Sequence, residues 1–164
     1  MSAEVCIRWG GAILIVAAAI ILGREYSKYI ARQKKEMRAF SDLILHIKGE
    51  VSRFLTPTAA LLSGYECPVL ESSGFASAFA AHSDLSRALE ESDIVLPRSF
   101  HALLSEFFAD FGKDYREGEL ARILHYSELL EREEERLISE LDSSEKLAKT
   151  LLVAAALAII ILII

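Results

Sequence analysis

At 164 residues and 18.2 kDa, the chain is long enough for one compact domain and too short for two. It is 52% hydrophobic with a mean hydropathy of +0.31, yet 26% of it is charged, a mixture that excludes both intrinsic disorder and a polytopic membrane protein. Of 24 acidic and 18 basic residues, only Glu4 and Arg8 lie outside Arg24–Lys149, which keeps 23 against 17. An acidic segment of that kind repels phosphate backbones, so nucleic acid is not an expected partner.

Composition divides the chain into three parts: 1–23, 24–149 and 150–164. The first holds the uncharged run Trp9–Gly23. As a helix this run is about 22 Å long, against a hydrocarbon core of ~30 Å. Extension back to Val5 nearly closes the gap if Arg8 snorkels to the head groups, with Trp9 in the interfacial belt. A cleaved signal peptide is the alternative. Against it, Ile21-Leu22-Gly23-Arg24 offers a bulky residue where a cleavage site needs a small one, and the positive charge follows the run. Arg24, Lys28, Arg32, Lys34, Lys35 and Arg38 lie downstream, with Arg8 alone upstream. That bias places the downstream segment in the cytoplasm. Cys6 and Cys67 then fall on opposite sides of a span, which fits a reducing compartment and no disulfide.

Helical periods dominate the middle. Met37, Phe40, Ile44, Ile47, Val51 and Phe54 form one stripe on a helix that continues from the first run and ends near Leu55. Thr56-Pro57 reads as an N-cap and first-turn proline opening a short helix through Leu62. Ser63–Pro68 reads as a link. Two small helices follow, around Ser73–Ala81 and Ser83–Glu91. Pro97 opens a further helix whose apolar set is Phe100, Leu103, Leu104, Phe107, Phe108 and Phe111, and Gly112 ends it. Phe107 and Phe111, one turn apart, are both expected in the core. Asp114 and Glu117 have the spacing of a capping box for the last helix. Its stripe is Leu120, Ile123, Leu124, Leu130, Leu137, Ile138 and Leu141, running on toward a second apolar run, Thr150–Ile164, preceded by Lys146 and Lys149. A buried core helix is the alternative for this run, but a segment apolar on every face needs an apolar solvent on every side. The expected fold is all-α, a compact helical bundle between an N-terminal and a C-terminal transmembrane helix. Arg24, Lys28, Arg32, Lys146 and Lys149 are its membrane-flanking cations.

The sequence offers no phosphate-binding glycine loop and no G-x-S-x-G elbow. His46, His82, His101 and His125 lack the H-E-x-x-H or E-x-x-H spacing of helix-borne metal sites. The pairs His46/Glu50 and Glu128/Arg132 read as surface helix support. Cys67 reads as a packed thiol. No enzyme activity, metal or cofactor is expected.

The order of landmarks carries a resemblance. A short apolar helix ends in Gly23 and basic residues, and a long helix leads to Thr56-Pro57. Then come Phe111-Gly112, Arg116-Glu117-Gly118-Glu119, a charged helix and a terminal apolar run preceded by lysines. Together these resemble the stage III sporulation protein AB family, whose soluble part is similar to the cytoplasmic domains of the F-type platform protein of type II secretion and type IV pilus systems. The chain departs from the family pattern at Thr58, where Leu is usual, and at Tyr115 and Glu119, where Asp and Gln are usual. Asp114 is then expected to cap one residue early.

The resemblance implies a non-enzymatic part in the transport apparatus linking mother cell and forespore. The protein would sit in the mother-cell (outer forespore) membrane and present its helical domain to a secretion-type ATPase. Its other partners would be the lipid bilayer and membrane proteins of the same apparatus, and a homo-oligomer is left open. The expected partner surface is the membrane-distal end, Leu55–Glu71 with the turn Gly112–Gly118, centred on Tyr65, Lys113, Asp114, Tyr115 and Arg116. The acidic stretch Glu131–Glu135 is the next candidate. A membrane-anchored helical scaffold or regulatory adaptor unrelated to secretion is the alternative.

Overall fold

A computed structural model describes the backbone of residues 3–53, 62 and 64–163, and the side chains of these except 3–9, 12, 53, 162 and 163. The expected placements of Arg8, Trp9, Phe54, Leu55 and the Thr56-Pro57 helix therefore lie outside the described residues. Six helices occur among those described: α1 (Ala3–Arg53), α2 (Pro68–Ser72), α3 (Phe75–His82), α4 (Leu85–Glu91), α5 (Arg98–Asp110) and α6 (Arg116–Ile163). The all-α expectation holds. Among the described residues no helix is long and apolar enough to cross a membrane. The chain divides into two units, Met1–Ala31 with Ile138–Ile164, and Arg32–Leu137.

The core of Arg32–Leu137 gathers on one face of α1. Met37, Phe40, Leu43, Ile44 and Ile47 are all fully buried, while Val51 is half-buried. From α5 come Phe100, Leu104, Phe107 and Phe108, at spacings that keep them on one side of the helix. Phe40 meets Phe75 of α3 edge to face at 5.1 Å, and Phe108 lies 6.5 Å from Phe40 and 6.1 Å from Phe75. Such geometries add about 0.5–1.5 kcal/mol per pair beyond the area buried. On α6 the buried set is Ile123, Leu130 and Leu137, a seven-residue repeat. Leu124, expected beside them, is 44% exposed. Leu124 points about 100° away from Ile123, toward the side of α6 that carries Ser127 and Glu128.

Local chemistry explains the short helices. Pro68, expected at the end of a link, opens α2, where its missing N–H has no helical acceptor to lose. Gly74 connects α2 to α3 at φ +81°, a conformation costly for any residue with a Cβ. Asp84 accepts from the backbone N–H groups of Ser86 (2.9 Å) and Arg87 (3.1 Å), so α4 starts two residues later than Ser83. Pro97 stands just outside α5, and Gly112 follows it at φ +82°.

The connection between α4 and α5 is fixed to α1 by a carboxylate. Glu36, 2% exposed, accepts from Arg32 Nε at 2.7 Å and from the backbone N–H of Val95 at 2.5 Å. The same guanidinium donates to the carbonyl and carboxylate of Asp93. A buried charge is tolerated when every polar atom around it finds a partner, and here backbone and arginine supply them.

Candidate interaction surfaces

The turn between α5 and α6 holds four of the five expected partner residues. Its geometry differs from the predicted capping box. Asp114 accepts from the N–H of its neighbour Tyr115 at 2.8 Å, and Glu117 is exposed. The reciprocal acceptor is Glu119, 5% exposed. Its Oε1 takes the N–H of Gly112 (3.2 Å), the N–H of Asp114 (3.1 Å) and Arg122 Nη1 (2.8 Å). The first helical bond of α6 runs from the Glu119 N–H to the Tyr115 carbonyl, so a side chain two positions beyond Glu117 rises on the face that looks back at the turn. A Cβ at Gly118 would meet the Asp114 carboxylate, which would have to shift to make room.

Arg116 serves structure as well. Its guanidinium donates to the carbonyl of Val51 (3.2 Å) and to that of Ser52, both in the last turn of α1. Lys113 pairs with Asp110 at 3.1 Å. Tyr115 is 89% exposed and stands apart from these contacts. Tyr65, the fifth residue, is half-buried against α1, its ring 4.6 Å from that of His46. Burial, with Cys67 and Asp42 adding to it, pushes the Tyr65 phenol up to about 12. Of the five, therefore, Tyr115 is the side chain most fully presented to solvent.

A second surface lies along α1 and α6, which run antiparallel in this unit: Ser41 donates to Glu134 at 2.6 Å, while Arg116 reaches Val51. A groove of about 470 Å³ between them has Ile44 and Leu130 at its base and the exposed Leu45 and Leu124 on its sides. Glu128, Glu131, Glu134 and Glu135 form an acidic rim, with Lys48 facing them. Glu128 pairs with Arg132 at 3.9 Å, which bears out the helix-support reading of that pair. This acidic stretch has an apolar floor that the sequence reading did not see.

In the other unit, the apolar parts of α1 and α6 face each other, with Leu152 Cδ1 in van der Waals reach of a Cβ built at Gly23 (3.6 Å). Their outer faces are bare: Ile13, Leu14, Ile21, Leu22, Leu151, Val153 and Ile161 are each 59–77% exposed. Of the cations expected to flank a membrane, Lys28 pairs with Glu25 (2.6 Å) and Lys149 with Glu145 (2.7 Å). Arg24 and Lys146 are exposed. Arg32 instead anchors the loop before α5, as described above. No group of three or more His, Cys, Asp or Glu side chains among the described residues is placed to hold a metal ion.

Fold and surfaces together define an all-helical bundle protein built on two long helices, α1 and α6, with a tightly capped turn leading from α5 into α6. The model of the stage III sporulation protein AB family matches residues 8–164, nearly the whole chain, and the protein belongs to that family. No curated relative and no solved structure matches it.

Proposed function

We propose that this sporulation protein is a non-enzymatic platform component of the transport apparatus between mother cell and forespore. Its apolar ends insert into the mother-cell (outer forespore) membrane, and 24–149 faces the cytoplasm and receives a secretion-type ATPase. The observation that carries this reading is the bare apolar surface on both helices of the end unit. Contiguous apolar patches larger than a few hundred Å² are rare on proteins surrounded by water, and these side chains point outward all round. The described stretches are shorter than a full span, and the sequence runs continue into residues whose side chains are outside the description. Basic residues after the first run and before the second support the cytoplasmic orientation.

The partner surface in this reading centres on Tyr115, with Lys113 beside it. An exposed tyrosine on a turn held by Glu119, Asp114 and Arg116 is pre-organised, which lowers the entropic cost of binding. Fusion of a reporter active only outside the cytoplasm after residue 110 tests the orientation. No signal is expected, and a strong signal would overturn the assignment. Replacement of Tyr115 by a photo-crosslinking residue in sporulating cells tests the partner, with capture of the ATPase as the expected result.

A further inference from the structure

The end unit contains an open groove of about 680 Å³ between the two apolar helix stretches, within the size range of small-molecule sites. Its floor is apolar, with Ala19 and Ile20 from α1 and Leu152 and Ala156 from α6. One end differs. Arg24, Ser27 and Lys28 follow Gly23 on α1, and Lys149 precedes Leu152 on α6. The helices run in opposite chain directions, so the residues beyond Gly23 and those before Leu152 share one end of the groove. Gly23 leaves room there, with only Leu152 near the position of its missing Cβ.

The charges at this end are only partly neutralised within the protein. Lys28 and Lys149 have carboxylate partners at their own helix surfaces, Glu25 and Glu145. Arg24 makes no ion pair among the described residues, and Lys146 adds a further cation one turn before Thr150. An apolar trough that ends in clustered cations is complementary to a molecule with a long apolar tail and an anionic head. A free phosphate would have no use for the trough, and a neutral lipid would have no use for the cations.

We propose that this groove binds one anionic phospholipid, an acyl chain along the apolar floor and the phosphate against Arg24, Lys28 and Lys149. The proposal rests on the membrane reading of the two apolar runs. The bound lipid would set the depth of the hairpin in the bilayer by fixing one headgroup at the level of Arg24. Clustered Lys and Arg between membrane helices recognise lipid head groups in this way.

The test uses the full chain. Flotation with phosphatidylcholine vesicles checks the membrane reading alone. Native mass spectrometry from mild detergent, with phosphatidylglycerol and phosphatidylcholine supplied in equal amounts, checks the site. The expected spectrum shows one phosphatidylglycerol retained in preference to phosphatidylcholine. Arg24→Gln and Lys149→Gln, both exposed positions, should each lower that preference about fivefold. A chain that floats but retains both lipids equally overturns the lipid site and leaves the membrane reading standing. So does a preference unchanged in the double variant, or a lipid-free dimer in which a second copy fills the groove. A chain that does not float overturns both.

Discussion

Arg116, the first residue of α6, donates from Nε to the carbonyl oxygen of Val51 in the last turn of α1. The two residues are 65 positions apart in the chain, and the contact joins the end of one long helix to the start of the other.

This contact separates two neighbours that the sequence presents as equivalent. Arg116→Ala should destabilise the full chain by about 1 kcal/mol, which for its size lowers the melting temperature by roughly 2–4 °C. Tyr115→Ala should stay within about 0.5 kcal/mol of the parent, as expected for an exposed side chain without structural contacts. Thermal melts of the two variants in detergent measure both effects. Equal losses would mean that Tyr115 packs on the protein after all.

Glu119 should matter more than either. Glu119→Ala removes the acceptor shared by the N–H groups of Gly112 and Asp114 and by Arg122, part-buried bonds worth together about 1–3 kcal/mol. Glu119→Gln keeps an oxygen at the same place and should lose only about 1 kcal/mol, mainly through the weaker bond to Arg122. Denaturant midpoints rank the pair. If the Gln variant is as damaged as the Ala variant, charge rather than capping is the decisive contribution.

The aromatic core gives a graded prediction. Phe107 is fully buried and contacts Phe108, Phe111 and Tyr126 at 5.5–5.6 Å, so Phe107→Ala should cost about 3–5 kcal/mol. Phe111 is only half-buried, contrary to the expectation that both phenylalanines lie inside. It closes α5 as an extended residue, with one side of its ring against Phe107 and the rest toward solvent. Phe111→Ala should therefore cost about 1–2 kcal/mol, less than half as much. Melting temperatures of the two variants check the ratio.

What could be read from the sequence was local and periodic. The stripe from Met37 to Ile47, the α5 face and Gly112 as its stop follow from helical geometry and from glycine's tolerance of positive φ. Asp84 took the capping role one residue after Ser83, a shift that propensity alone does not resolve. The contacts that shape the candidate surface were less visible. Nothing near Arg116 in sequence indicates that it reaches Val51, and Arg32 looks like one more membrane-flanking cation until Glu36 and Asp93 are seen around it. Glu119 carried a weak signal: an acidic residue in the first turn after a glycine. The apolar floor under Glu128–Glu135 depends on Ile44 from a distant helix and could not be found in α6 alone.

Tyr65 provides a pH test. A phenol normally ionises near pH ~10, and burial in the folded chain holds Tyr65 to about 12. The raised value means that the folded state prefers the neutral phenol. Its contribution to stability is complete below about pH 10 and is lost as the pH rises through 12. Tyrosinate absorbance should show a late phase that Tyr65→Phe removes, and the variant should lose less stability in that window. An unchanged titration would place Tyr65 in solvent.

The central claim is that the helical domain receives a secretion-type ATPase from its position at the membrane. The full chain in lipid nanodiscs, titrated with the purified ATPase of the same sporulation apparatus, tests it most directly. The account predicts saturable binding that empty nanodiscs lack, weakened about tenfold or more by Lys113→Ala with Tyr115→Ala while the melting temperature is unchanged. Binding no stronger than to empty nanodiscs, by a chain shown to be folded, would contradict it.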